Sequence, residues 1–403
     1  MNKISIDKLS NQEEIYPCVI EDIEYWFLME KDNVRIYSIG NKKVDRYIKI
    51  SEKNLALVLD VIKEFDGKHE IREISKKIQE THKAYVDINE IYSKFNRAGL
   101  LKNSDLGFEK SEIRALALNI FNIDIPLLGE SARKNISRLW YSYTAMCLLI
   151  IGIGLFLLIT CAGTVVFSNQ AVILNNSYIK GVAITFLMAV PCLLMHEMSH
   201  AICAISMGLM PSKIALSLYF GILPMWYVKI PGIYTIKPSK RVWVLASGVF
   251  TNFVIALASV IAVVLFDLNG ESREIVLKLA TANFFSVIFS LNPFTLSDGY
   301  FIFTTILKIP NLRFNMIKKV ANLSNKGFTL NYYEALYIIT GILILGASVS
   351  STYWWAFHVL YEIFGHMVNV PFNYYMAFTV LVSVTFVMVC IVIKRAKAYL
   401  VRV

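Results

Sequence analysis

Charge is what this chain of 403 residues has least of: Asp, Glu, Lys and Arg make up 17% of it, against 56% hydrophobic residues and a mean hydropathy of +0.53. A soluble globular protein carries about 25% charged residues, so that class is excluded by composition. Acid in particular runs out. Of the 30 Asp and Glu, 23 lie within residues 1 to 140 and 7 beyond, whereas the 40 Lys and Arg divide 23 to 17. The front is charge-balanced, and the net charge of +10 belongs entirely to the apolar remainder. There the basic residues stand in short clusters between apolar runs, as loops facing the cytoplasm do. No nucleic acid is expected as a partner.

Cysteine is sparse as well. Cys18, Cys147, Cys161, Cys192, Cys203 and Cys390 form no CxxC pair and mostly lie within apolar runs, which excludes a disulfide framework and a cysteine metal site. The opening MNKISIDKLSNQEEIYPC lacks the basic start and apolar stretch of a cleaved signal peptide, so internal spans are expected to insert the chain.

What is abundant is apolar sequence. A hydrocarbon core about 30 Å thick needs roughly 20 apolar helical residues, and six runs qualify: Tyr141 to Phe167, Gly181 to Met207, Val242 to Phe266, Glu274 to Leu307, Glu334 to Thr352 and Phe372 to Ile393. The fourth is interrupted by Asn292 and Pro293; the fifth is followed by an aromatic stretch, Tyr353 to Phe364, that extends it or lies in the interface. Arg133, Lys134 and Arg138 precede the first run, Lys213 to Arg241 follow the second, and Lys394, Arg395, Lys397 and Arg402 close the chain. This predicts a multi-pass cell-membrane protein with both termini cytoplasmic. Lys180, Arg273 and Lys278 break the pattern.

The second run holds Met195-His196-Glu197-Met198-Ser199-His200, an HExxH that puts two imidazoles one helical turn apart on one face. Two such rings can grip one zinc ion, and the carboxylate beside them can take a proton from water. The same side chains also suit a polar lining or a proton path in a helix bundle. A second polar island, Asn292-Pro293-Phe294-Thr295-Leu296-Ser297-Asp298-Gly299-Tyr300, interrupts the fourth run. Glu197 and Asp298 are the only acids well within the expected spans, and an isolated charge near mid-bilayer costs about 3 kcal/mol. Both motifs fall in the cytoplasmic part of their runs, so a shared metal would remove that cost.

HEMSHA followed far downstream by NPFTLSDGY resembles the site-2 protease family of intramembrane zinc metalloproteases, especially its peptide zinc metalloprotease branch. The resemblance covers about residues 180 to 305. It implies that His196, His200 and Asp298 hold one zinc ion and that Glu197 activates water. Ser247-Gly248-Val249-Phe250-Thr251-Asn252 is similar to the family's small-residue and Asn motif, which implies Asn252 near the catalytic centre; Asn252 and Asn292 are the candidates for substrate or oxyanion support. The stretch Lys213 to Val228, with Gly221 and Pro224, resembles the family's membrane-associated strand loop, which pairs with an extended substrate. The family commonly has Gly in place of Ser199, Pro in place of Val249 and a hydrophobic residue in place of Ser297. His358 and His366 read as interfacial or packing residues.

Residues 1 to 110 read as a small α/β winged-helix domain. A hairpin of Asn33 to Ser38 and Asp45 to Ile50 is expected around Gly40-Asn41, then helices Glu52 to Phe65 (capped by Ser51), Glu70 to Glu80 and Asp87 to Arg97. With YIKISEKNLALVLDVIKEFDGKHEIREISKKI and a late RAGLL, this order of elements resembles the PqqD-like peptide-recognition domain. That resemblance implies capture of a leader peptide as an added strand. A basic DNA-reading face is missing. Residues 111 to 140 read as an interfacial connector to the membrane domain, 141 to 403.

The expectation is therefore an α-helical polytopic membrane protein of about six spans, with a site-2 protease-like core and the small front domain. Its expected activity is that of a zinc metalloendopeptidase acting on a ribosomally synthesised, modified peptide precursor. The partners would be that peptide and its leader, the lipid bilayer, and an exporter or peptide-modifying enzyme. Two other functions fit the same sequence: a non-proteolytic peptide export or immunity protein, and regulated intramembrane cleavage of a signalling protein.

Overall fold

A computed structural model describes residues 15–102 apart from 32, 43, 84 and 85, 117–162 apart from 127, 173–219, 223–292, 297–309, part of 312–319, 331–367 and 374–383. Gly221, Pro293, the His366 side chain and most of the sixth apolar run lie outside the described residues.

The front opens with strands β1 (Glu24–Lys31), β2 (Val34–Asn41) and β3 (Arg46–Ser51), which form an antiparallel sheet in that order. Helices α1 (Glu52–Glu64), α2 (Ile71–His82) and α3 (Ile88–Arg97) follow. The three helices fall where their apolar spacing predicts. Leu55, Val58, Leu59 and Ile62 of α1 join Ile74, Ile78 and Phe95 in one apolar core with Ile39, Ile48 and Ile50 of the sheet. Two local expectations are corrected. Gly40 and Asn41 are paired strand residues rather than the turn, opposite Tyr47 and Arg46. The chain turns after them, where Asn41 Oδ1 accepts from the Val44 N–H (3.1 Å) and Asp45 takes a left-handed φ of 57°. Ser51 stands at the N-cap of α1 with extended backbone but makes no side-chain capping bond. Strand β1 is not signalled in the sequence, because its EYWFLMEK contains a bulge at Leu28 that breaks the alternation. The bulge turns both Leu28 and Met29 inward, and both are buried.

The second part is mostly helical. After strand β4 (Ala117–Asp124) come α4 (Glu130–Leu157, ending in a π turn, Leu158–Ala162), α5 (Tyr178–Ser206), strands β5 (Lys213–Tyr219) and β6 (Leu223–Lys229), α6 (Pro238–Leu265), α7 (Gly270–Ser290), α8 (Asp298–Ile306) and α9 (Tyr332–Met367). Among the described residues, three helices are long and apolar enough to cross a membrane: Glu130–Thr160, Tyr178–Ser206 and Pro238–Leu265. Leu149, Phe156 and Ile159 of the first stand exposed, an apolar face that suits lipid. The composition and these helices are those of a membrane protein.

Helix α6 is the hub, packed against α4, α5, α7 and α8. Small residues on it (Ser247, Gly248, Thr251, Ala256, Ser259) let neighbours approach on several sides, as small residues do between membrane helices. The fourth apolar run is two helices, not one: α7 ends at Ser290 and α8 starts at Asp298, with the Ser297 hydroxyl donating to the Asn292 carbonyl across the break (2.7 Å). The aromatic stretch after the fifth run continues the same helix, α9. Lys278, an exception to the charge rule, is a buried staple whose ammonium donates to the carbonyls of Ile173 and Glu274 (3.2 Å to the latter).

Strand β4 lies in the segment read as a connector and pairs antiparallel with β5, which pairs with β6, so that segment completes a second three-stranded sheet. The front sheet docks on the loop between β6 and α6. Asp45 Oδ1 accepts from the Gly232 N–H (3.0 Å), and the Tyr47 ring stands edge-on to Tyr234 at 6.3 Å.

Candidate metal centre

Helix α5 is set by its ends. Ser177 at the N-cap accepts from the Lys180 N–H (3.2 Å), and the Glu362 carboxylate, arriving from α9, accepts from the N–H groups of Tyr178 and Ile179 (3.1 Å to the latter). An acid at a helix N-terminus satisfies orphan donors and complements the dipole. At the far end Gly208, φ 88°, stops the helix. His196 and His200 lie in its buried second half, one turn apart as the motif requires.

Asp298, the first residue of α8, meets them across the bundle. His196 Nε2 lies 3.0 Å from Asp298 Oδ2, His200 Nε2 lies 3.3 Å from the same oxygen, and the two Nε2 atoms are 3.2 Å apart. Three ligand atoms about 2.0–2.1 Å from a tetrahedral zinc would stand roughly 3.3–3.4 Å from one another. The observed triangle matches that requirement closely. Space beside it is kept by Gly248 of α6, where a Cβ would come within 2.4 Å of both His Nε2 atoms. Gly299 serves the approach of Asp298, since a Cβ there would strike the Leu291 backbone at 2.5 Å. The donor set, two imidazoles and a carboxylate, and the cradle left by a missing side chain fit a zinc ion.

The groups around the triangle fix it further. His200 Nδ1 donates to the Val244 carbonyl (2.7 Å), which leaves Nε2 its lone pair for a metal; the Ser247 hydroxyl, 3.3 Å from Nδ1, donates to the same carbonyl. His196 Nδ1 is buried with no partner among the described residues. Ser199 is accommodated by bonding back to the His196 carbonyl at 2.7 Å. Glu197 belongs to the same group: one ligand atom each from His196, Glu197 and His200 lie within 4.8 Å of one another. Its Oε2 is held by the Val228 N–H of β6 (2.9 Å), outside the tight triangle, as suits a base better than a third ligand.

Asn252 lies four residues beyond Gly248 on the same side of α6, fully buried, with neither its amide nitrogen nor its oxygen partnered among the described residues. Asn292 is buried at the break between α7 and α8. His358 is a packing residue: its Nδ1 bonds to the Trp354 carbonyl (2.7 Å), and its ring lies 4.7 Å from Tyr178. Val228, Val244 and Glu362 carried no signal in the sequence, because the first two act through backbone atoms and the third through a contact 183 residues away. No family model, curated protein or solved structure matches the chain.

Proposed function

We propose that this chain is an intramembrane zinc metalloendopeptidase that processes a ribosomally synthesised, modified peptide precursor. The observation that carries the reading is the triangle of His196, His200 and Asp298 beside the Gly248 gap, with both histidines and the gap in helices composed to cross a membrane. Zinc held by those three side chains would polarise the scissile carbonyl and acidify water. Glu197 accepts the proton from water and hands it to the departing amine. The Val228 N–H orients that carboxylate. Asn252, whose buried amide has no partner among the described residues, supplies a donor toward the developing oxyanion.

The backbone near Glu197 supports an extended substrate. Val228 directs its N–H to α5 and not to β5, and among the described residues no strand pairs with the outer edge of β6, which runs past the base. A peptide adding there as a strand is held by backbone hydrogen bonds and is no longer shielded by its own helix. The front domain, read as a PqqD-like winged helix, captures the leader along an edge of its own sheet. The full chain makes about six passes through the cell membrane with both termini in the cytoplasm, where the peptide, its modifying enzyme and an exporter meet it.

The test needs no substrate: zinc stoichiometry of the detergent-purified protein beside His200→Ala and Asp298→Ala. About one zinc ion per chain, weakened in both variants, is expected. Unchanged binding in Asp298→Ala defeats the three-ligand site. Peptide transport or resistance that survives Glu197→Gln would transfer the assignment to a non-proteolytic export or immunity protein. Deleting residues 1 to 110 separates leader-directed processing, which it abolishes, from cleavage of a signalling protein, which it spares.

A further inference from the structure

Where the front sheet meets the bundle lies a cavity of about 260 Å³. Lys49 of β3 lines it from the front domain; Tyr234, Arg241 of α6 and Tyr300 of α8 line it from the membrane domain. Arg241 is 2% exposed. Its Nε and Nη2 donate to the carbonyls of Ile233 and Ile236 at 3.2 Å each, and its guanidinium lies 5.1 Å from the Tyr234 ring centroid. Among the described residues neither Arg241 nor Lys49 forms an ion pair. Asp45, in the turn before β3, accepts from Gly232 instead.

Two cations facing one cavity from two different domains, with no acid among the described residues that line it, repel each other, and the buried Arg241 is costly to desolvate. The first turn of α6 adds to the positive potential: it contains no acid, it has no side-chain cap, and a helix N-terminus favours an anion over the Lys240 and Arg241 that stand there. The arrangement favours a bound negative charge. Tyr300, whose hydroxyl oxygen accepts from the Arg313 N–H (3.4 Å), has its own proton left to donate.

The position of the cavity says what carries that charge. Helix α6 is apolar over membrane-crossing length, so its first turn lies at the boundary where phosphate headgroups sit. One turn inward the lining becomes Leu245 and Phe301, surfaces for an acyl chain rather than for a soluble ion. Basic pockets between helices at a membrane surface take anionic headgroups. We propose that this cavity is an oxyanion site holding the phosphodiester of an anionic phospholipid between Lys49 and Arg241, and that the lipid fastens the front domain to the bundle.

The experiment uses the full-length protein in mixed micelles of phosphatidylglycerol or phosphatidylcholine, read by thermal melting and by native mass spectrometry of retained lipid. Phosphatidylglycerol should raise the melting midpoint by several degrees over phosphatidylcholine and should stay bound. Lys49→Ala, at an exposed strand position that no fold contact requires, should lose at least half of that rise and of the retained lipid. Arg241→Lys should keep most of it. Equal midpoints in the two lipids, or a rise undiminished in Lys49→Ala, overturns the proposal. So does inorganic phosphate that reproduces the rise without lipid, which would make the ligand a soluble oxyanion. None of these readouts involves zinc or cleavage, so the outcome is independent of the peptidase reading.

Discussion

The two halves of the molecule bury different things. The front domain fills its interior with Ile39, Val58, Val61, Phe65, Ile74, Ile78, Phe95 and Leu100, all apolar, with Phe65 and Phe95 edge-to-face at 6.1 Å. It buries few polar side chains, among them Ser38 and an Asn41 that bonds the Glu21 carbonyl (2.6 Å) and the Val44 N–H, and keeps pairs such as Lys63 with Asp60 at the surface. Where α5, α6 and α8 cross, the buried residues include a polar set, His196, Ser199, His200, Ser247, Thr251 and Asn252. Burying polar groups costs free energy unless each is paired, and Asn252 and His196 Nδ1 have no partner among the described residues. The first interior is explained by stability alone. The second is more polar than stability asks for, and its surplus converges on one triangle of ligand atoms.

The sharpest way to break this contrast is Glu197→Gln. Cleavage of a processed peptide should fall by about a thousandfold, the usual worth of a positioned acid–base group, with zinc stoichiometry and melting unchanged. Phe95→Ala is the mirror image: it should destabilise the front domain by about 3–5 kcal/mol, seen as early protease nicking of residues 15 to 102, and leave zinc binding alone. Gly248→Ala tests whether the gap in α6 is a binding feature. Its added methyl should abolish zinc retention while the helical circular dichroism stays put, and zinc retained at full stoichiometry would mean that the gap is only packing. Replacing Asn252 with Leu removes an unpartnered polar group, so stability should rise by about 1–3 kcal/mol while cleavage slows; a loss of stability would show that the amide pays its way structurally.

The smallest effect belongs to the front surface. The Lys63 ammonium, hydrogen-bonded at 2.8 Å, holds the Asp60 carboxyl below the usual carboxylate range, with His82 contributing. A carboxyl depressed in the folded state stabilises fully above its unfolded pKa of about 3.9 and loses that contribution as pH falls through the lower folded value. Because the pair is exposed, Asp60→Asn should change stability by no more than a few tenths of a kcal/mol, and that difference should vanish in acid.

Local chemistry explains which parts of this were legible beforehand. The helices of the front domain are readable because i, i+3 and i+4 apolar spacing and the stop at Asp66-Gly67 act within a few residues. HExxH is readable for the same reason, since one helical turn brings His196 and His200 together whatever surrounds them. Strand β1 escapes notice because the bulge at Leu28 spoils its alternation, and the hairpin turn is displaced from Gly40-Asn41 because cross-strand pairing claims those two residues. The split of the fourth apolar run is signalled by Asn292-Pro293, but the join through the Ser297 hydroxyl is not.

Sequence by itself determined that the chain has a charge-balanced front and an apolar, basic remainder, that the remainder holds apolar runs of membrane-crossing length, and that an imidazole pair with a carboxylate beside it lies on one helix face. These follow from composition and from periodicity, both of which are local. Asp298 was offered as a third ligand by the sequence, but only the tertiary structure decided that it closes the triangle, that Gly248 leaves it room, that a backbone N–H from β6 holds Glu197, and that Lys49 faces Arg241 across the domain junction. Each of those joins residues between 31 and 192 positions apart through packing, and no local rule carries information over that range.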